Sequence, residues 1–145
     1  MKPLLRTSWT MLFGVLIGTC VFAVAANAQP TFVGKFTLPY EVHWGQAVLA
    51  AGQYSIRMYS VAGPAMVTSA DGRRTVYTQS PTIADSDKGS ARLIITNLGN
   101  ERKVRSLNLP ALGKLVIFAP LTQSEREEIA KAGQTNAVPV VTAEK

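Results

Sequence analysis

The chain has 145 residues, of which 47% are hydrophobic and 17% charged, with a formal net charge of +6. That length and mix exclude a two-domain enzyme, a mostly disordered chain and a multi-span membrane protein. The average conceals a skew, because the first 28 residues are largely apolar and carry only Lys2 and Arg6 as charges.

Those residues have the three parts of a secretory signal peptide. Lys2 and Arg6 make a basic start, an apolar run extends from Met11 to Ala26, and Ala26-Asn27-Ala28 supplies small residues at the −3 and −1 positions. Cleavage is expected between Ala28 and Gln29. The run is shorter than the roughly 20 residues needed to cross a bilayer core, so no membrane span is expected after the cut. The only cysteine, Cys20, lies in this leader, and Thr19 stands where a lipoprotein signal places a small residue. The remainder therefore has no thiol for a disulfide, a nucleophile or a metal, and its size lets it build a core without staples. A bacterial periplasmic or secreted location follows. With Lys2 and Arg6 gone, 13 basic residues face 9 acidic ones, about +4. For an exported chain this excludes nucleic acid as the natural partner. It points to solubility, or to an anionic envelope polysaccharide or another exported protein.

Beyond residue 29 the apolar residues alternate, which is the strand period. Phe32, Phe36 and Leu38 share one face of a first strand, with Val33, Lys35 and Thr37 on the other. Tyr40, Val42 and Trp44 share a face after Pro39, and Ala47–Leu49 returns after Gly45-Gln46. Gly52 turns the chain into the longest alternation, with Tyr54, Ile56 and Met58 opposite Ser55, Arg57 and Tyr59. Residues 65–69 and 73–78 flank Ala70-Asp71-Gly72, the best hairpin signal in the chain. Residues 79–90 are small and polar and read as one long loop. Leu93-Ile94-Ile95 suggests a strand buried on both faces. In 102–109 the parity slips between Val104 and the Leu107/Leu109 pair, consistent with a bulge. Leu115–Phe118 is a last apolar strand. Thr122 and Glu125 fit a capping box that opens a short helix, with Ile129 its only large apolar residue and Gly133 its stop. Residues 134–145 lack period and read as a disordered tail. The expectation is a signal peptide at 1–28 and one all-β domain at 29–133, a small antiparallel sandwich or barrel of about eight short strands.

Phe36-Thr-Leu-Pro-Tyr40, Val42-His-Trp-Gly45 and Leu49-Ala-Ala-Gly-Gln-Tyr54 together resemble the opening of a family of small exported acidobacterial-type β-proteins of uncharacterised function. Ala50 stands where that family has Pro. Ser69–Gly72, Leu93–Ile95 and Glu125–Glu127 follow in matching order, so the resemblance covers roughly residues 32–130. It implies export and the fold, and no activity or site.

Chemistry-bearing residues are sparse. His43 is the single histidine, and it shares a strand face with Glu41, the one foothold for a hydrolase. Metal binding has no converging ligands, and Asp85-Ser86-Asp87 lacks the rest of a calcium loop. No glycine-rich phosphate loop is present. No catalytic, cofactor or metal set is assigned. Arg73-Arg74 and Arg102-Lys103-Arg105 would form one positive binding face if their strands were neighbours; the plain alternative is protection of edge strands. Tyr59 is the aromatic with the best claim to exposure and to stacking on a sugar. The expected role is a non-enzymatic exported domain that binds or assists in the envelope, with carbohydrate or anionic-polymer binding as the specific alternative.

Overall fold

A computed structural model describes residues 29–132 and 134–142. The predicted leader, and with it Ala28 of the cleavage site, lies outside those residues. Among the described residues the elements run β1 (Phe32–Leu38), β2 (Val42–Trp44), β3 (Ala47–Leu49), β4 (Gly52–Met58), β5 (Met66–Ser69), β6 (Thr75–Tyr77), β7 (Thr82–Asp85), β8 (Arg92–Leu98), β9 (Glu101–Leu109), β10 (Lys114–Ile117), α1 (Gln123–Ala132), β11 (Thr135–Pro139) and β12 (Val141–Thr142), with a single 3-10 turn at Pro110–Leu112.

The strands make two sheets, ordered β12-β1-β4-β5-β6 and β11-β8-β9-β10-β7, and β2 joins the second through β9 and carries β3. The described residues are therefore all-β with one short helix, as the periodicity predicts. Every pairing among them is antiparallel except β2 on β9, which meets at His43 and Lys103. Alternation decides which face of each strand is buried. Phe36, Leu38, Tyr54, Ile56, Met58 and Val67 point inward from the first sheet and meet Leu93, Ile95, Val104, Leu107 and Val116 from the second in one cluster. Each such side chain contributes roughly 1.5–3 kcal/mol on burial. Phe36 stacks on Tyr54 at 5.8 Å and tilts toward Trp44 at 6.1 Å, and Trp44 meets Phe118 edge-on at 5.1 Å. The Tyr54 hydroxyl escapes burial without a partner by donating to the Ala50 carbonyl at 2.8 Å, which lets a polar-tipped ring sit in the core.

The parity slip in β9 is a bulge. Ile94 pairs with Ser106 and Ile95 with Val104, so Arg105 is the extra residue. Its carbonyl accepts the N–H groups of both Phe118 and Ala119, at 2.8 and 3.1 Å.

Two expectations are corrected. The long loop at 79–90 contains a strand: β7 pairs with β10, and Ile83, opposite Val116, packs against the core. The described part of the expected tail, residues 134–142, is not loose. β11 lies along β8 from Thr135 to Pro139, and β12 lies along β1. Its anchors are Val138 and Val140, both buried, and Val140 donates its N–H to Ala91 at 3.0 Å. Two valines were too few to register as a periodic signal. Their hold comes from covering the edges of β8 and β1, which the other described strands leave unpaired.

Candidate functional site

The outer face of the first sheet is an open platform built by register. Lys35 of β1 lies beside Ser55 of β4, Ser55 beside Thr68 of β5, and Thr68 beside Thr75 of β6. The next row runs Val33, Arg57, Met66, Tyr77. Tyr59 follows Arg57 by two residues, just past the end of β4, and its carbonyl accepts the Thr31 hydroxyl at 2.8 Å. Tyr59 and Tyr77 are 52% and 69% exposed, large fractions for rings that would ordinarily be covered.

Lys35 and Arg57 are exposed and make no ion pair among the described residues. The two rows contain no carboxylate. A cleft of about 580 Å³ crosses one end of the platform, lined by Lys35, Thr37, Gln53, Ser55 and Thr68, with Pro139 and Val141 of the C-terminal segment also lining it. Its lining mixes hydroxyl, amide and ammonium groups with the apolar surface of Phe36, Tyr54, Val138, Pro139 and Val141.

The β5–β6 turn closes one end. Asp71 accepts bonds from the Ser69 hydroxyl and from the Arg73 N–H, the latter at 3.0 Å. These two bonds, the serine first, hold its carboxyl below the usual carboxylate value. Gly72 takes φ 70°, a conformation that other residues adopt at a cost.

The proposed single basic face does not form. Arg73 and Arg74 lie exposed beside β6 in the first sheet, whereas Arg102, Lys103 and Arg105 belong to β9 in the second. Arg73 reaches Asp71 at 3.9 Å, and Lys103 pairs with Glu101 at 2.9 Å. Arg102 lies over the Tyr40 ring at 4.3 Å, and Tyr40 accepts a bond from Asn136 at 2.7 Å. Arg105 is buried, because the bulge turns it under α1, where it binds Thr96 and Glu125. Lys35 and Arg57 are the cations that do share an open face with Tyr59. The alternation that sets Arg57 outward was readable; the β1–β4, β4–β5 and β5–β6 registers that add Lys35 and Tyr77 were not.

Glu41 and His43 are not joined. Glu41 is exposed, His43 is half-buried, and no hydrogen bond or ion pair links them among the described residues. Lys103 holds the Glu101 carboxyl below the usual value by a hydrogen bond and by charge, with a smaller push from His43. Among the described residues no three His, Cys, Asp or Glu side chains gather as metal ligands, and no helix is long and apolar enough to cross a membrane. No protein-family model matches the chain, and neither a curated protein nor a solved structure matches it at a significant level.

Proposed function

We propose that the chain is an exported, non-enzymatic binding domain that holds acidic polysaccharide on the outer face of its first sheet. The observation that carries this reading is the presence, on one outer sheet face, of two exposed tyrosines and of two cations without an ion pair among the described residues, in two rows that contain no carboxylate. Tyrosine rings present flat apolar surface to the C–H face of a sugar ring, at the cost of ordering only two side-chain angles. Arg57 and Lys35 supply charge-assisted bonds to uronate or sulfate groups. Ser55, Thr68 and Gln53 supply neutral donors and acceptors suited to hydroxyls. The exported setting rests on the leader.

Affinity electrophoresis of the chain from Gln29 onward, in gels holding a polyuronate or its neutral counterpart, tests the reading. The polyuronate should retard the protein and the neutral polymer should not. Added salt should weaken the effect, since exposed charges are screened within about 10 Å at 0.1 M. Arg57→Glu with Lys35→Glu should abolish retardation. Retention of the effect in that double variant, or no retardation of the parent chain, would overturn the reading.

A further inference from the structure

The outer face of the second sheet carries a different feature. In a two-sheet fold the outward positions of a strand are usually polar. Here Ile94 of β8 and Leu115 and Ile117 of β10 line the outward side, while their neighbours Leu93 and Val116 fill the core. The helix α1 lies over them. It brings one large apolar side chain, Ile129, with Leu121 from the segment before it. What ties the helix down is polar: Arg105 donates to Glu125 at 2.8 Å from the bulge of β9. A helix held by an ion pair over an apolar sheet face leaves the face incompletely filled, and a groove of about 290 Å³ remains between them.

The charge of that groove is one-sided. Arg105 and Arg126 line it, and no carboxylate does. Glu125 neutralises Arg105. Arg126 is exposed and has no ion-pair partner among the described residues. Five large aliphatic side chains, with Ala119 and Pro120, and one unpaired guanidinium outweigh the hydroxyls of Thr96, Ser106 and Thr135 in the lining, and are complementary to a molecule with an apolar chain and an anionic head.

We infer that this groove binds a single-chain carboxylate amphiphile, the chain lying between α1 and the sheet and the head on Arg126. At roughly 30 Å³ for each group of water size, the space suits a chain of about ten carbons. The glycan-binding reading uses the opposite sheet, so the two stand or fall separately.

Isothermal titration of the chain from Gln29 onward with decanoate tests the inference, with decanol and hexanoate as comparisons. Decanoate should bind saturably, and hexanoate more weakly by roughly fourfold for each methylene removed. Decanol should bind about tenfold more weakly than decanoate, for want of the charge-assisted bond. Arg126→Gln should erase the difference between decanoate and decanol. Ile129→Trp, which fills the groove from the helix side, should abolish binding of both; Leu115→Trp does so from the sheet side should the first variant not fold. Absence of saturable decanoate binding, equal binding of decanol by the parent chain, or undiminished binding by a folded tryptophan variant would each overturn it.

Discussion

The guanidinium of Arg105 and the carboxylate of Glu125 meet at 2.8 Å, with side chains only 7% and 20% exposed. The contact joins the bulge of β9 to the first turn of α1. The same carboxylate accepts the Thr122 N–H at 2.9 Å, and Thr122 Oγ1 accepts the Glu125 N–H at 3.3 Å, which completes the capping box. On its far side Arg105 Nε donates to Thr96 at 2.7 Å. Removing one partner leaves a nearly buried charge unpaired. Glu125→Ala is expected to cost on the order of 3 kcal/mol in urea unfolding. Replacing both residues by methionine should cost less than the sum of the two single changes, and a double-mutant cycle checks it.

The pH dependence of stability follows from the same pair. The Arg105 bond first, and then the Thr122 N–H, lower the Glu125 pKa from 4.5 to about 2. A carboxyl with a depressed folded value binds fewer protons folded than unfolded in that interval. Its stabilisation is fully present above 4.5 and is lost as pH falls toward about 2. The unfolding midpoint should therefore drop on acidification through this window. Glu125→Gln should flatten the decline, and a slope unchanged by that substitution would contradict the assignment.

Gly34 is a socket for Val140. A Cβ built at Gly34 would lie 2.6 Å from Val140 Cγ1 and 2.9 Å from Phe32 Cζ. No side chain fits there unless the side chains of Val140 and Phe32 shift. Gly34→Ala is expected to destabilise the fold by about 2 kcal/mol through overpacking. Val140→Ala in the same chain should recover part of that loss, since it removes the clashing methyls. Amide exchange at Val140, whose N–H is held by Ala91, should quicken in Gly34→Ala.

Tyr59→Ala with Tyr77→Ala separates binding from stability. Both rings are exposed and neither belongs to the core cluster. The unfolding midpoint should shift by no more than the roughly 0.5 kcal/mol typical of surface changes. Polyuronate binding should fall at least tenfold, about 1.4 kcal/mol. A large loss of stability would mean that these rings pack the fold.

Much of the architecture was legible because strand period and turn chemistry are local. Tyr54, Ile56 and Met58 alternate in the chain and are buried in the fold. The slip after Val104 marked the bulge at Arg105, and Thr122 with Glu125 marked the helix start. β7 was hidden because Ile83 is its only large apolar residue, and a strand in that position is recruited by β10. The basic residues misled for a related reason. Arg73 and Arg105 look alike as charges, yet one ends on an exposed turn and the other under a helix.

Chain-local information therefore set the strand class, the turns, the helix cap and the low stock of catalytic residue types. Strand order and register were decided by long-range pairing. Which face Arg57 and Tyr59 share with Lys35 and Tyr77 depends on β1 meeting β4 and β5 meeting β6. The hold on residues 135–142 depends on two edges that exist only once the sheets are assembled. A one-residue slip in any of those pairings would turn every side chain on that strand to the other face, so the composition of each surface is a property of the fold and is absent from the order of residues along the chain.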